Sequence, residues 1–569
     1  MGSTYSRSYS PKSKGSKLDD DTCGCKGTIS RMESTDNFVE AVVCKKNDLK
    51  DNEMKVFDVE DGKVLLIKQK GEFSAIGTKC THYGAPLVNG ALGDGRVRCP
   101  WHGACFNIKT GDIEDFPGFD SLPCYQVTVT EKGEVKVRAK LSDLKSNVRV
   151  KDMGIATECE GHSVVVVGGG PSGATCAETL RSEGFRGRIT VIAKEPYLPY
   201  DRIKVSKIGA VPDISTLQAR TQEYYDKAHI NVLKGTEVTS VDIEGKQVNL
   251  SNGTHVNYTA LYLAPGCRAR VPNTIVGIDL KNIFSVRNYE DAVQILGTLG
   301  EEKDKHVVVL GLGFIGLEAA ASCSSKAKSV TVVGTDTLPL GQIFGATIGQ
   351  RLKELFEEKG VGFHFRTSVR QCHGEDGVLN AVELTDGVTL KADMLVLGVG
   401  IEFNTGFIAN SGIDMLPNGA VVVNDRLETN VKGVYAGGDI ASAPVFAAGG
   451  QRLAIGHVGL AQYHGRMAAL NILKRNAPLR TVPFFWTMLF GKSIRYAGCG
   501  KPAGWQVEGD VAEMKFVIFF FDEAEKVIAV ASCMRDPVVA QFAELLQQGR
   551  TLYKNELKGD PFAWTRTIN

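Results

Sequence analysis

The 569-residue chain has no long apolar run. A membrane-spanning helix needs about 18 or more consecutive apolar residues, so none is expected. The apolar run Phe516 to Phe521 has the length of a buried strand. Charge of one sign is missing too: 66 Lys and Arg against 65 Asp and Glu leave a net charge of +1, which removes any bulk electrostatic case for a nucleic-acid partner. The 14 cysteines form no repeating framework, which argues for a reducing compartment rather than a disulfide scaffold. The sequons at Asn252 and Asn257 are then chance matches.

What is present begins with two short loops, Cys80-Thr81-His82-Tyr83-Gly84 and Cys99-Pro100-Trp101-His102-Gly103, with 16 residues between His82 and Cys99. Each offers one thiolate and one imidazole. Two Cys on one iron and two His on the other is the ligand set of a Rieske 2Fe–2S centre, which carries one electron at a time. The alternative is a structural Cys2His2 zinc site. Such sites usually pair Cys with Cys and His with His at short spacing, whereas each loop here mixes the two. The glycine after each His lets the loop backbone approach an ion closely.

A second pattern starts after a charged linker near 151–160. Val164 to Val167 reads as a buried parallel strand and leads into Gly168-Gly169-Gly170-Pro171-Ser172-Gly173, with a helix expected over 174–182. Gly168 makes the tight turn, Gly170 lets the backbone approach a pyrophosphate, and Gly173 permits close helix packing. Val307 to Leu310 repeats the scheme before Gly311-Leu312-Gly313-Phe314-Ile315-Gly316, with a helix expected from Leu317. One fingerprint is weak; two, each after a Val-rich strand, predict two dinucleotide sites.

Residues 38–145 resemble a Rieske ferredoxin domain, through Cys99-Pro100-Trp101-His102-Gly103-Ala104 above all. High-potential respiratory Rieske proteins join their cluster loops by a disulfide and place Ser and Tyr hydroxyls near the sulfurs. Ala85 and Trp101 stand at the cysteine positions here, and Ala104 and Phe106 at the hydroxyl positions. Fewer donors to sulfur imply a centre near the low end of the Rieske range, roughly −150 mV. Cys105 and Cys124 are expected to be ordinary buried thiols, with pairing as the alternative.

Thr429-Asn-Val-Lys-Gly-Val-Tyr-Ala-Gly-Gly438-Asp439 resembles the second FAD motif of the two-dinucleotide flavoprotein reductases, and Leu263-Ala264-Pro265-Gly266 resembles their Ala-Thr-Gly turn. The resemblance implies FAD at the first fingerprint, with Asp439 on the ribityl chain, and NAD(P)H at the second. Pro199-Tyr200-Asp201-Arg202 and Val205-Ser206-Lys207 resemble the oxygenase-coupled ferredoxin reductases and apoptosis-inducing factors. That likeness implies that Arg202 and Lys207 touch FAD, and that Lys207 pairs with Glu318 beside the flavin to hold the nicotinamide. It also places the Val238 backbone at the adenine, and His457 and Trp486 near the isoalloxazine. A surface ion pair and packed core side chains are the plain alternatives. A ribose-binding carboxylate is expected roughly 20 residues after a fingerprint. The first unit has Lys194 at that place with Glu195 as the substitute, and the second ends Val333-Gly334-Thr335, with neither acid nor arginine. NADH is the default nucleotide, with NADPH left open. Cys176 and Cys323 stand alone on their helices, so electrons are not expected to leave through a dithiol.

The domain order resembles the Rieske-bearing branch of the apoptosis-inducing-factor family. The organisation expected is a basic, disordered tail over 1–37, an all-β Rieske domain over 38–145 and a linker over 146–160. An α/β flavoprotein follows, with FAD-binding parts at 161–284 and 406–480 around an NAD(P)H-binding insertion at 285–405, and then an α+β C-terminal interface domain at 481–569. The expected reaction carries electrons from NADH through FAD to the chain's own cluster, then to an unidentified acceptor. A redox-sensing signalling protein with incidental turnover is the alternative. A self-contained Rieske oxygenase needs a further mononuclear iron domain, for which ten His and no spare segment leave no room. The family resemblance implies mitochondrial association and a pro-apoptotic role. The tail opens Met1-Gly2-Ser3-Thr4-Tyr5-Ser6, an N-myristoylation pattern followed by basic residues, so membrane-surface or cytoplasmic placement is the other expectation. Cys23 and Cys25 are candidates for palmitoylation or metal binding. Monomer and homodimer are both compatible with the sequence.

Overall fold

The computed structural model describes residues 37–156, 161–207 and 213–568. The myristoylation pattern, Cys23 and Cys25 lie outside them. The chain from Phe38 onward builds one compact unit. Its first part is a six-stranded antiparallel sheet with spatial order Phe38–Lys45, Glu134–Lys140, Cys124–Val129, Glu72–Ile76, Gly62–Gln69, Glu53–Val59. A four-stranded meander of short strands, from Ala91–Gly93 to Ile113–Asp115, stands beside it. The two cluster loops leave these two sheets: one follows Glu72–Ile76, the other joins Arg96–Arg98 to Cys105–Asn107. The region is mainly β, with a 3-10 turn at Leu87–Asn89 and one short α-helix, Leu141–Ser146. Cys105 and Cys124 do not pair; Cys105 is buried, but Cys124 is exposed, contrary to the expectation of a buried thiol.

The dinucleotide units are two parallel sheets of the same design. The first orders its strands Ile230–Leu233, Arg188–Ile192, Ser163–Val167, Ala260–Leu263, Val434–Ala436. The second orders Val361–Phe365, Ser329–Gly334, His306–Leu310, Met394–Leu397, Ile283–Ser285. In each the fingerprint strand is central, and its Val-rich run is buried on both faces as helices cover a parallel sheet. Every strand of the second sheet comes before Val434–Ala436 in the chain, so the second unit is inserted into the first. The helices begin earlier than read from sequence, at Pro171 and at Phe314. Pro171 takes the first helical position, where a missing N–H costs nothing.

The C-terminal part is a five-stranded antiparallel sheet, order Phe484–Leu489, Lys492–Gly498, Val527–Cys533, Lys515–Phe521, Gly504–Asp510, followed by the helix Val538–Gln547. Its apolar residues share one core with the second dinucleotide unit. It also grips the N-terminal β part. Glu544, whose side chain is fully buried, takes Arg98 at 2.6 Å and Arg96 at 2.9 Å on its two oxygens, and Arg98 also reaches Asp115 at 2.8 Å. Removing one member of such a buried network strands the others without water, so it fixes the docked arrangement more than it adds stability. From the first dinucleotide unit, Gln462 clasps Gly118 through both its backbone groups, at 3.1 and 2.8 Å.

Candidate functional site

The first fingerprint opens into a cavity of about 720 Å³. A Cβ on Gly173 would lie 1.9 Å from the Gly168 carbonyl oxygen, and one on Gly168 would lie 2.1 Å from the Ala264 carbonyl. Both positions therefore need glycine for close approach. Gly170, by contrast, faces open space and begins the helix without a side-chain cap or an acidic first turn. A helix N-terminus left free in this way favours a phosphate.

Gly168, Gly170, Pro171, Ser172, Lys194, Glu195, Arg202, Val238, Ala264, Gly438 and Asp439 all line the cavity. Gly173 packs beneath it. Lys194 pairs at the surface with Glu237 at 2.7 Å, whereas Glu195 is held by Arg202 and by the Tyr200 hydroxyl at 2.6 Å. Of the two residues weighed as a ribose reader, Glu195 is therefore the one fixed in place. Asp439 accepts from Arg287 at 2.8 Å and from the Cys267 thiol at 3.2 Å. Arg287 and Cys267 were not read from sequence, since neither stands in a motif. His457 lies just before the helix Val458–Ile472, its ring 5.2 Å from Phe485. Its Nδ1 is buried without a partner among the described residues. Burial pulls its pKa down to about 4 against the opposing pull of Asp439, so the ring is neutral. The bare helix end fits a large polar phosphate-bearing cofactor in this cavity.

The second fingerprint repeats the backbone. A Cβ on Gly316 would lie 2.1 Å from the Gly311 carbonyl, and Gly313 starts its helix uncapped, facing open space. Gly313 and Ile315 are exposed, and Phe314 packs on Phe485 with centroids 4.4 Å apart. Glu318, on the first turns of this helix, is buried and forms an ion pair with Lys207. Thr487 donates to the same carboxylate at 2.6 Å. Neither Lys207, Glu318, His457 nor Trp486 lines the large cavity. Lys207 and Glu318 sit at the junction of the two dinucleotide units.

The cluster loops meet face to face. The Cys80 and Cys99 thiols lie close enough to shift each other's titration, and the Nδ1 atoms of His82 and His102 converge to 3.0 Å. The loops share one turn: Cys80 N–H donates to Ala85 and Gly84 N–H to Cys80, as Cys99 N–H donates to Ala104 and Gly103 N–H to Cys99. This aims the backbone N–H groups of His82 and Tyr83 at the Cys80 sulfur, and those of Trp101 and His102 at the Cys99 sulfur. Cys80 is raised well above the ordinary thiol range by the Cys99 hydrogen bond and by burial. Cys99 is lowered: burial opposes this, but Cys80, the two N–H groups and the Arg495 guanidinium outweigh it. Burial takes His82 down to about 4 and His102 to about 2, the latter also through His82, Arg495 and Lys207. Neutral imidazole is the form that ligates metal. Among the described residues no three His, Cys, Asp or Glu gather around one point. Two thiols on one side and two imidazoles on the other suit a binuclear centre better than a single zinc ion.

Trp486 packs against His102 at 4.3 Å between centroids, its ring tilted by 34°, and meets His82 edge-on at 6.0 Å. Tyr83, stacked on His82 at 3.8 Å, donates to Asp201 at 2.6 Å, within the Pro-Tyr-Asp-Arg stretch that also supplies Arg202. Both ends of that hydrogen bond stand in recognised motifs, but nothing in the sequence joins the motifs to each other. Trp486 and Thr487 are neighbours on one strand, so their side chains point to opposite faces, one toward the cluster loops and one toward Glu318. Among the described residues all cysteines are free, and Cys176 and Cys323 are buried singly.

Two family models match this chain: pyridine nucleotide-disulphide oxidoreductase over residues 162–465 and Rieske [2Fe-2S] domain over 39–126. Apoptosis-inducing factor 3 of Mus musculus is 42% identical over 92% of this chain and 87% of its own length. The benzene 1,2-dioxygenase system ferredoxin–NAD(+) reductase subunit of Pseudomonas putida is 33% identical over 59% of this chain and 80% of its own. The crystal structure of the ferredoxin reductase for the CYP199A2 system from Rhodopseudomonas palustris superposes with a TM-score of 0.67 at 25% identity, covering 72% of this chain and all of that one. The matched domains carry FAD and NAD(P)H in the one case and a 2Fe–2S cluster in the other.

Proposed function

The chain belongs to the pyridine nucleotide-disulphide oxidoreductase family and, within it, to the family of apoptosis-inducing factor 3; from that premise we propose that it carries electrons from NADH through FAD to its own Rieske cluster and on to a separate acceptor. One observation carries the reading. A single strand, Phe484–Leu489, sets Trp486 against His102 and Thr487 against Glu318. The nicotinamide side and the cluster side of the protein are thereby one residue apart.

When bound, FAD takes a hydride from NAD(P)H as an electron pair and the cluster takes electrons singly. The residues do the rest. Gly168, Gly170 and the helix from Pro171 receive the flavin's pyrophosphate, while Glu195, Arg202, Arg287 and Asp439 hold its polar groups in fixed positions. Gly311, Gly313 and the helix from Phe314 receive the nicotinamide nucleotide. Glu318, fixed by Thr487, holds the Lys207 ammonium at the junction where the nicotinamide must meet the flavin. Cys80 and Cys99 take one iron; His82 and His102, kept neutral by burial, take the other. The end of the second fingerprint's unit, Gly334-Thr335, has neither an acid for a 2′-hydroxyl nor an arginine for a 2′-phosphate, so NADH is the default and NADPH stays open. A pro-apoptotic role and a mitochondrial address rest on kinship with apoptosis-inducing factor 3 alone. No helix among the described residues is long and apolar enough to cross a membrane.

Anaerobic titration of the full chain with NADH, followed optically and by EPR, tests the proposal. Flavin bleaching followed by a paramagnetic cluster signal is expected. His82→Ala should lose that signal and keep NADH-to-dye activity. Reduced flavin that never yields a cluster signal, or loss of both activities in the variant, would overturn it. Reduced protein that persists with nucleotide bound and turns over slowly would favour a sensor.

A further inference from the structure

The C-terminal sheet brings a buried cation to the cluster loops. Arg495 stands on Lys492–Gly498, and its side chain is only 6% exposed. Its Nε donates at 2.8 Å to the carbonyl of Trp101, between Cys99 and His102, from 394 residues away in the chain. A counter-charge is present as well: Asp536 Oδ1 lies 2.8 Å from Arg495 Nη1, on the side where the carboxylate is partly open to solvent.

We propose that Arg495 and Asp536 set the reduction potential of the cluster, Arg495 raising it and Asp536 limiting the rise. The inference rests on the reading that Cys80, Cys99, His82 and His102 are the ligands. Reduction adds one electron and forms or breaks no bond, so the cluster gains one unit of negative charge. A positive charge held close by, out of water, stabilises that product more than the oxidised form. The loop residues alone, with Ala104 and Phe106 in place of hydroxyl donors, imply a potential near the low end of the Rieske range. Arg495 reaches the loop from another domain and supplies a charge where the loop itself has lost its dipoles.

The test is an anaerobic potentiometric titration of the full, cofactor-loaded chain, with the cluster followed by EPR at one fixed pH. Arg495→Gln should make reduction about tenfold less favourable, about 59 mV for one electron. Arg495→Lys, which keeps the charge, should recover most of that loss. Asp536→Asn should move the midpoint the opposite way by a severalfold change. A purely structural role would deplete or broaden the signal without this order of signs. An intact signal with an unmoved midpoint in Arg495→Gln, or a downward shift in Asp536→Asn, overturns the proposal. If Arg495→Gln does not retain its cluster, the direction in Asp536→Asn decides alone. If the wild-type chain shows no Rieske signal, it is the ligand assignment that falls.

Discussion

At Gly168 and Gly311 the two fingerprint turns take φ of +117° and +127°, and their third glycines approach the first by nearly the same distance. Around these matching turns almost everything differs. The first helix is crossed so closely by Val458–Ile472 that a Cβ on Gly465 would lie 2.1 Å from the Ser172 carbonyl. It is almost wholly buried, and its turn feeds the large cavity. The second helix meets the strand Phe484–Leu489 and leaves Gly313 and Ile315 exposed. Two residues after the third glycine, the first helix has Thr175, loosely bonded to Gln462, while the second has Glu318, paired with Lys207. A shared backbone rule thus makes two uncapped helix ends, one enclosed by its neighbours and one left open; under the proposed function these suit a resident cofactor and a nucleotide that comes and goes.

The largest way to break this contrast is to fill the two matching positions. Gly173→Val should abolish bound flavin, read as loss of flavin absorbance in the purified chain. Gly316→Val should keep the flavin and its reduction by dithionite but lose its reduction by NADH. Flavin loss in both would mean that the sites are not separable. Next, Lys207→Met should slow flavin reduction by NADH roughly a hundredfold in stopped flow, as misplacement at a reacting centre does. Thr175→Val, at the matching position of the other helix, should stay within about twofold. Equal effects would erase the distinction drawn between the helices.

The smallest effect concerns the helix that covers only the first unit. His464 is buried on it, and burial lowers its pKa from 6.5 to about 4, partly offset by Asp439 and the Gly438 carbonyl. The unfolded chain therefore binds a proton between those values that the folded chain refuses. This group's contribution to stability falls as pH drops from about 6.5 toward 4, by about 3 kcal/mol. Thermal midpoints across that window should show a shallower decline in His464→Gln than in the wild type. An unchanged slope would remove His464 from the account.

Much of this was legible in short stretches of chain. The cluster donors stand in two pentapeptides whose turns close on their own backbone. The fingerprints dictate strand, turn and helix within about 30 residues, because close approach of backbone to backbone leaves room only for glycine. Other features were not legible. Arg287 holds Asp439 and Thr487 holds Glu318, yet neither belongs to a spaced pattern. The choice between Lys194 and Glu195 depended on where Arg202 and Glu237 stand, and Cys124 turned out exposed because its strand presents that face to solvent. Periodicity says which residues turn inward, not which partner they meet there.

By itself, the amino-acid order determined a Rieske-type donor set, two glycine turns and the succession of domains, since each follows from local steric and coordination rules. Only the tertiary structure decided that the cluster loops rest on Trp486, that Glu544 closes over Arg96 and Arg98, and that Arg495 reaches the loop between Cys99 and His102. Those contacts join segments separated by about 380 residues or more in the chain. At such separation the pairing depends on how whole sheets pack, and no local rule encodes it.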